Sequence, residues 1–214
     1  MIAQIATPGL EFSEADHVYR LYGRPIPSVT SVIRDNRLGP DFSRVPADSL
    51  QRARDLGTAV HAALHYADEG TLDETTVDPA VAPYLAAWRA FRAARGVVIV
   101  EMERRYADVT YRFGGTLDRI VVADVMDIGP RRRVVCDVKT GGVEGANYQT
   151  AAYHYLAGEG PGTLRWAVQL HPERPVPYTV YPYSSPRDWR IFRAALELTH
   201  ERAALGRHWS EAAA

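Results

Sequence analysis

Apolar residues recur at helical spacing through one long stretch. Leu50, Ala53, Leu56, Val60, Ala63, Leu64 and Ala67 predict a helix from Asp48 or Ser49 to Glu69, ended by Gly70. Before it, His17 to Thr30 reads as two short extended pieces around a Gly23 turn. Ser28 then caps a short helix through Ile33, and residues 34 to 47 form a loop with Pro40 and Pro46. After it, the polar run Thr71 to Asp78 is a loop. A second helix runs from Pro79 to Arg95, with Val81, Leu85, Trp88 and Phe91 on one side, and Gly96 stops it.

The period then changes. Val97 to Tyr106, Tyr111 to Ala123 and Arg132 to Val138 read as three consecutive strands, joined by a turn at Ala107 to Thr110 and a link at Asp124 to Arg131. Glu144 to Ala157 is helical and closes at Gly158. Leu164 to Leu170 and Tyr178 to Tyr183 are strands, and Ser185 or Asp188 opens a last helix to about Leu205. This order predicts an α/β fold, a central mixed β-sheet flanked by helices, and not a regular βαβ repeat. No linker divides it, so one domain is expected over 1–214, with a helical part at about 28–95 and a sheet-containing core at about 97–205.

Composition narrows the classes. The 214 residues are 46 % hydrophobic and 24 % charged, an ordinary globular balance. The single cysteine, Cys136, excludes a disulfide framework, a Cys-rich zinc site and a four-Cys iron–sulfur cluster within the chain. No signal peptide is read in Met1 to Glu11, and no apolar run approaches the roughly 18 residues of a membrane span, so a soluble, cytoplasmic protein is expected. The net charge of −1 means that nucleic-acid affinity must come from a local patch. Arginine supplies 24 of the 25 basic residues, and the only lysine is Lys139.

That lysine stands in Cys136-Asp137-Val138-Lys139-Thr140, at the end of an apolar strand. Strand alternation points Asp137 and Lys139 the same way, roughly 7 Å apart along the strand. A charged pair there costs desolvation unless something binds it, and Gly141 and Gly142 leave the strand end open. The preceding strand carries Gly114-Gly115-Thr116-Leu117-Asp118, whose glycines admit a close backbone or phosphate. Asp118 and Asp137 can converge from adjacent strands, and a divalent metal would relieve their repulsion. Glu101 and Glu103 share one face of the first strand, and either could join them.

In this order the sequence resembles the PD-(D/E)XK nuclease superfamily, in its RecB-like and phage-type exonuclease branch, similar to the mitochondrial genome maintenance exonuclease. The matching pieces are Gly57-Thr58-Ala59-Val60-His61, Gly115-Thr116-Leu117-Asp118, Asp137-Val138-Lys139-Thr140 and Gln149-Thr150-Ala151-Ala152-Tyr153. The opening Val18-Tyr19 through Pro27-Ser28-Val29-Thr30 also matches phage-type members. The resemblance spans about residues 17 to 157. It implies a restriction-endonuclease-like core, with His61, Asp118, Asp137 and the Val138 carbonyl as metal ligands and Lys139 as the catalytic lysine. It further implies Glu103 as the additional acidic residue, with Glu101 as alternate, and Gln149 and Tyr153 as contacts to DNA or supports of the site. The iron–sulfur cluster of some relatives does not carry over, since its cysteines are absent.

Such a set suits phosphodiester hydrolysis with Mg²⁺ or, given an imidazole ligand, Mn²⁺. Lysine can orient or deprotonate a water, or stabilise developing charge, as a compact ammonium that arginine does not replace. Arg104, Arg105 and Arg112, with the Arg131-Arg132-Arg133 run, are the candidate phosphate contacts. Tyr148, Tyr155, Tyr178, Tyr181 and Tyr183 are candidate base platforms. His65, His17, His154, His171, His200 and His208 carry no supporting pattern. The expectation is a metal-dependent deoxyribonuclease acting on DNA ends or single strands in recombination, repair or phage DNA metabolism, in the host cytoplasm if phage-encoded. A nuclease-fold protein that binds DNA without cutting it, and an endonuclease of the same fold, are the alternatives.

Overall fold

Two apolar stripes on helices and a run of apolar strands need a common place to bury, and a sheet covered on both faces supplies it. The computed structural model describes residues 7–125 and 131–206; most of the expected 124–131 link, and His208, lie outside them. The main sheet has five strands in the order β4(Val98–Asp108), β5(Phe113–Ala123), β6(Arg132–Lys139), β7(Leu164–Leu170), β8(Tyr178–Tyr183). Pairing is antiparallel except between β6 and β7, which are parallel, so the sheet is mixed. The parallel step requires a crossover, and the helix α4(Ala146–Leu156) makes it.

The helices α2(Ala47–Glu69) and α3(Ala82–Ala94) cover one face. Val60, Leu64, Trp88 and Phe91 pack there against Val121, Val134, Cys136, Val138 and Val168. The other face is covered by α1(Val29–Asp35), α4 and α5(Arg187–Ala204), where Val29, Tyr153 and Phe192 meet Phe113, Ile120 and Val135. No helix among the described residues is long and apolar enough to cross a membrane.

Several bounds move by a few residues from the sequence reading. The N-terminal pieces number three strands, β1(Leu10–Ser13), β2(Val18–Leu21) and β3(Arg24–Ile26), in a separate antiparallel sheet. The first was missed because Leu10 to Ser13 is too short to show alternation. The second helix begins at Ala82, three residues after Pro79, and the loop before it holds one 3₁₀ turn, Glu74–Thr76.

This small sheet docks at the β4–β5 hairpin. Tyr19 Oη and Thr116 Oγ1 are 2.7 Å apart, and Gly114 N donates to Pro27 O at 3.1 Å. The two glycines of β5 serve close approach, as the sequence suggested, but the approaching groups are protein. A Cβ on Gly114 would stand 2.9 Å from Tyr106 O, and one on Gly115 2.8 Å from Tyr153 Cε1.

Candidate functional site

β5 and β6 pair from Ala123↔Arg132 to Arg119↔Cys136 and then separate. At that fork, Asp118 and Asp137 take the first positions beyond the last paired residues. Asp118 Oδ2 accepts a hydrogen bond from Val138 N at 2.9 Å. A carboxylate therefore holds the backbone N–H that the lost strand pairing would have left without a partner.

A cavity of about 410 Å³ opens from the fork. Its floor is Gly115, Thr116 and Asp118 of β5, Asp137 and Lys139 of β6, and Glu103 of β4. Thr58 and His61 reach it from α2, and Gln149 and Tyr153 from α4. His17, Tyr19, Ser28 and Thr30 close it from the N-terminal segment. α2 runs beside the end of β6 at Gly57, where a Cβ would make an ordinary contact, 3.5 Å from Thr140 Oγ1.

Seven residues singled out in the sequence thus meet in one place: His61, Glu103, Asp118, Asp137, Lys139, Gln149 and Tyr153. Within it, one ligand atom each of His61, Glu103 and Asp118 lie within 4.8 Å of one another. His61 Nδ1 is 3.6 Å from Asp118 Oδ2. Beside them, Lys139 Nζ is 2.9 Å from Asp137 Oδ2 and donates to Gln149 Oε1 at 2.8 Å.

The acidic residue from β4 is Glu103, and Glu101 is elsewhere. The expected common face fails because Glu103 has φ 47°, which breaks the two-residue alternation after Glu101. Glu101 instead accepts from Tyr106 Oη and lies 3.4 Å from Arg133 Nη2. A non-glycine residue in the left-handed region is strained, and such strain clusters at functional positions.

The electrostatics are those of crowded carboxylates. Burial raises the Glu103 carboxyl, Asp118 raises it further, and His61 and Arg119 oppose. Burial pushes Asp137 up to about 6, even with Lys139 beside it, and the Asp118 charge adds to the rise. Burial would lower Lys139, but Asp137 and Asp118 outweigh it and hold the ammonium above its ordinary range. Tyr153 is raised well above the phenol range by burial.

These groups fit a divalent cation. An imidazole and two carboxylates are within reach of one centre, an oxygen-rich donor set with one nitrogen. Asp137 Oδ2 is fully buried beside the Lys139 ammonium at 2.9 Å. Val138 turns its N–H toward Asp118. In an extended strand the carbonyl of the same residue points to the same side.

Other expected contacts are not brought to the cavity. Arg105 Nη2 donates to Glu14 Oε1 at 3.1 Å and its guanidinium lies over Phe12, while Arg104 lies over Tyr106. Arg133 is taken by Glu159 and Glu101, and Arg131 by Asp124. Of the tyrosines, Tyr155 stacks on Trp189 at 4.1 Å and Tyr178 packs on Phe91. Tyr148 packs against the α1–α4–α5 core, and Tyr181 donates to Gln169 Oε1 at 3.1 Å.

Sequence reasoning passed over two features. His17 lines the cavity from a strained turn whose partners are distant in sequence. Asp68 lies behind the site with its side chain fully buried. It accepts from Arg119 Nε at 2.7 Å, Arg92 Nη1 at 2.7 Å and Trp88 Nε1 at 2.9 Å. Its signal was present, since His61, His65 and Asp68 follow one helical stripe.

No family model matches the chain, and no curated protein matches it. Solved structures are similar at low identity, three of them as follows. A candidate exonuclease from Eubacterium rectale has 10% identity over 85% of this chain and 74% of its own, with a TM-score of 0.41. LHK-Exo in complex with dAMP has 12% identity over 85% and 92%, with a TM-score of 0.36. A protein named SSO0001 has 16% identity over 72% and 76%, with a TM-score of 0.33.

Proposed function

We propose that this protein is a divalent-metal-dependent deoxyribonuclease that hydrolyses phosphodiester bonds, an exonuclease working on DNA ends or single strands. The observation that carries the reading is the meeting of His61, Glu103 and Asp118 beside an Asp137–Lys139 ion pair in one cavity. Strain at Glu103 and a raised carboxyl at Asp137 are costs a purely structural site has no reason to bear.

His61, Glu103, Asp118 and Asp137 would hold Mg²⁺ or Mn²⁺, with the Val138 carbonyl beside them. The bound ion would polarise the phosphate and make a water acidic enough to attack. Lys139 is kept as an ammonium by Asp137 and aimed by Gln149. It would orient the water or stabilise phosphate charge. Tyr153 fills the space above Gly115 and backs Gln149 one helical turn away.

The test is labelled linear DNA with Mg²⁺ or Mn²⁺, with EDTA as control. Asp118→Ala and Asp137→Ala are expected to abolish cleavage, and metal-dependent cutting by the Asp137 variant would sink the assignment. Closed circular DNA separates the modes, because nicking of it argues for an endonuclease. Metal binding has its own readout. Mn²⁺ at a hundredfold excess over Kd should stabilise the wild type by about 2.7 kcal/mol, read as a higher melting temperature. Glu103→Gln should lose most of that rise.

A further inference from the structure

We infer that His17 is a catalytic residue of this cavity, the general acid that protonates the leaving oxygen. The inference rests on the phosphodiester hydrolysis proposed above. His17 ends the β1–β2 turn, just before the Ser13↔Val18 pair, with φ 53°. Five described non-glycine residues have positive φ, and of these His17 and Glu103 line the cavity.

The imidazole is held from outside the site. Its edge meets Phe12 at 5.0 Å and Tyr19 at 6.2 Å, both near perpendicular. Tyr19 is anchored to β5 through Thr116 at 2.7 Å. Neighbouring charges pair among themselves, Arg20 with Asp16 at 3.7 Å and Arg105 with Glu14 at 3.1 Å. The ring nitrogens of His17 have no hydrogen bond or ion pair among the described residues, and the residue is exposed.

Its place gives it the role. Beyond Asp118 and Asp137 the strands have parted. Lys139 ends β6, while Thr116 belongs to β5 and is joined to Tyr19, against which His17 packs. An in-line displacement puts the entering and leaving oxygens on opposite sides of phosphorus. With water entering at Lys139, the leaving oxygen faces the N-terminal sheet. The water oxygen bonds to phosphorus, and the bond from phosphorus to the sugar oxygen breaks, its electron pair staying on that oxygen. The imidazolium proton of His17 neutralises it, the water's proton passes to solvent, and solvent reprotonates the imidazole.

The experiment compares an ordinary oligonucleotide with one in which the leaving oxygen, identified from the wild-type products, is replaced by bridging sulfur. A thiolate leaves without a proton. His17→Asn is the main variant because asparagine tolerates the left-handed backbone, and His17→Ala is the second. With Mn²⁺ both should lose about 10²-fold in kcat on the oxygen substrate and little on the sulfur one. Their affinity for uncut oligonucleotide in Ca²⁺ should be unchanged. Equal losses on the two substrates, no loss, or a loss confined to affinity would overturn the role. Failure of the wild type to cut the oxygen substrate would instead remove the nuclease reading.

Discussion

At the scale of single residues, Lys139 is the point on which sequence and structure bear most directly. A chain that uses arginine everywhere else keeps one lysine, and it sits between Asp137 and Gln149 with Nζ 2.9 and 2.8 Å from their oxygens. A guanidinium is wider and presents a rigid fork, so it cannot take both contacts from that point. Lys139→Arg is expected to lower kcat about 10²-fold with little change in KM; full activity in steady-state kinetics would remove the special role given to the lysine. His61, Asp118, Asp137, Gln149 and Tyr153 were legible because each stood in a short motif on a recognisable element. Glu103 could not be separated from Glu101, since the positive φ that decides between them leaves no trace in alternation. His17 was passed over for a similar reason: its value lies in what the N-terminal sheet docks against.

At the scale of elements, α2 carries two jobs on one stripe. His61 faces the cavity, and two turns later Asp68 enters the interior to meet Arg119, Arg92 and Trp88. Arg119 is fully buried, with Nη1 and Nη2 unpartnered and its guanidinium over the Trp88 ring at 4.9 Å. Its one anchored nitrogen is Nε, on Asp68. Removing Asp68 would leave that charge buried without its counter-ion, a loss of about 3–5 kcal/mol. Asp68→Ala should therefore lower the unfolding free energy in urea by about 3–5 kcal/mol, and a midpoint near the wild type would show that Arg119 finds another anion. The helix itself was readable from apolar spacing. The inward turn of a charged residue was not, because helical periodicity marks Asp68 as polar without saying that Arg119 waits opposite.

At the scale of the whole molecule, two histidines contribute to the response to acid. His171, at the end of β7, has its Nε2 buried without a partner, and burial lowers it below the ordinary 6.5. Burial lowers His154 in the same way. The folded values lie below the unfolded ones, so the unfolded chain takes up more protons as pH drops. Their contribution is full above about 6.5 and is lost as pH falls through the folded values. The raised carboxyls of Asp137 and Glu103 act the other way, gaining stability as pH falls through the Asp137 value of about 6. The histidine share is therefore read by difference: His171→Leu should lose less stability than the wild type on acidification below about pH 6.5, and an unchanged slope would assign the loss to other groups. The sequence by itself determined the α/β class, the order of the five main strands and the motifs that supply the carboxylates and the lysine. These depend on local periodicity and short-range spacing, which a single chain records. The tertiary structure alone decided that β5 and β6 part at Asp118 and Asp137, that Glu103 and not Glu101 turns inward, and that a small N-terminal sheet closes the cavity with His17. Those outcomes depend on contacts between residues up to about a hundred positions apart, such as Tyr19 with Thr116, and packing between distant segments is not written in the period of either one.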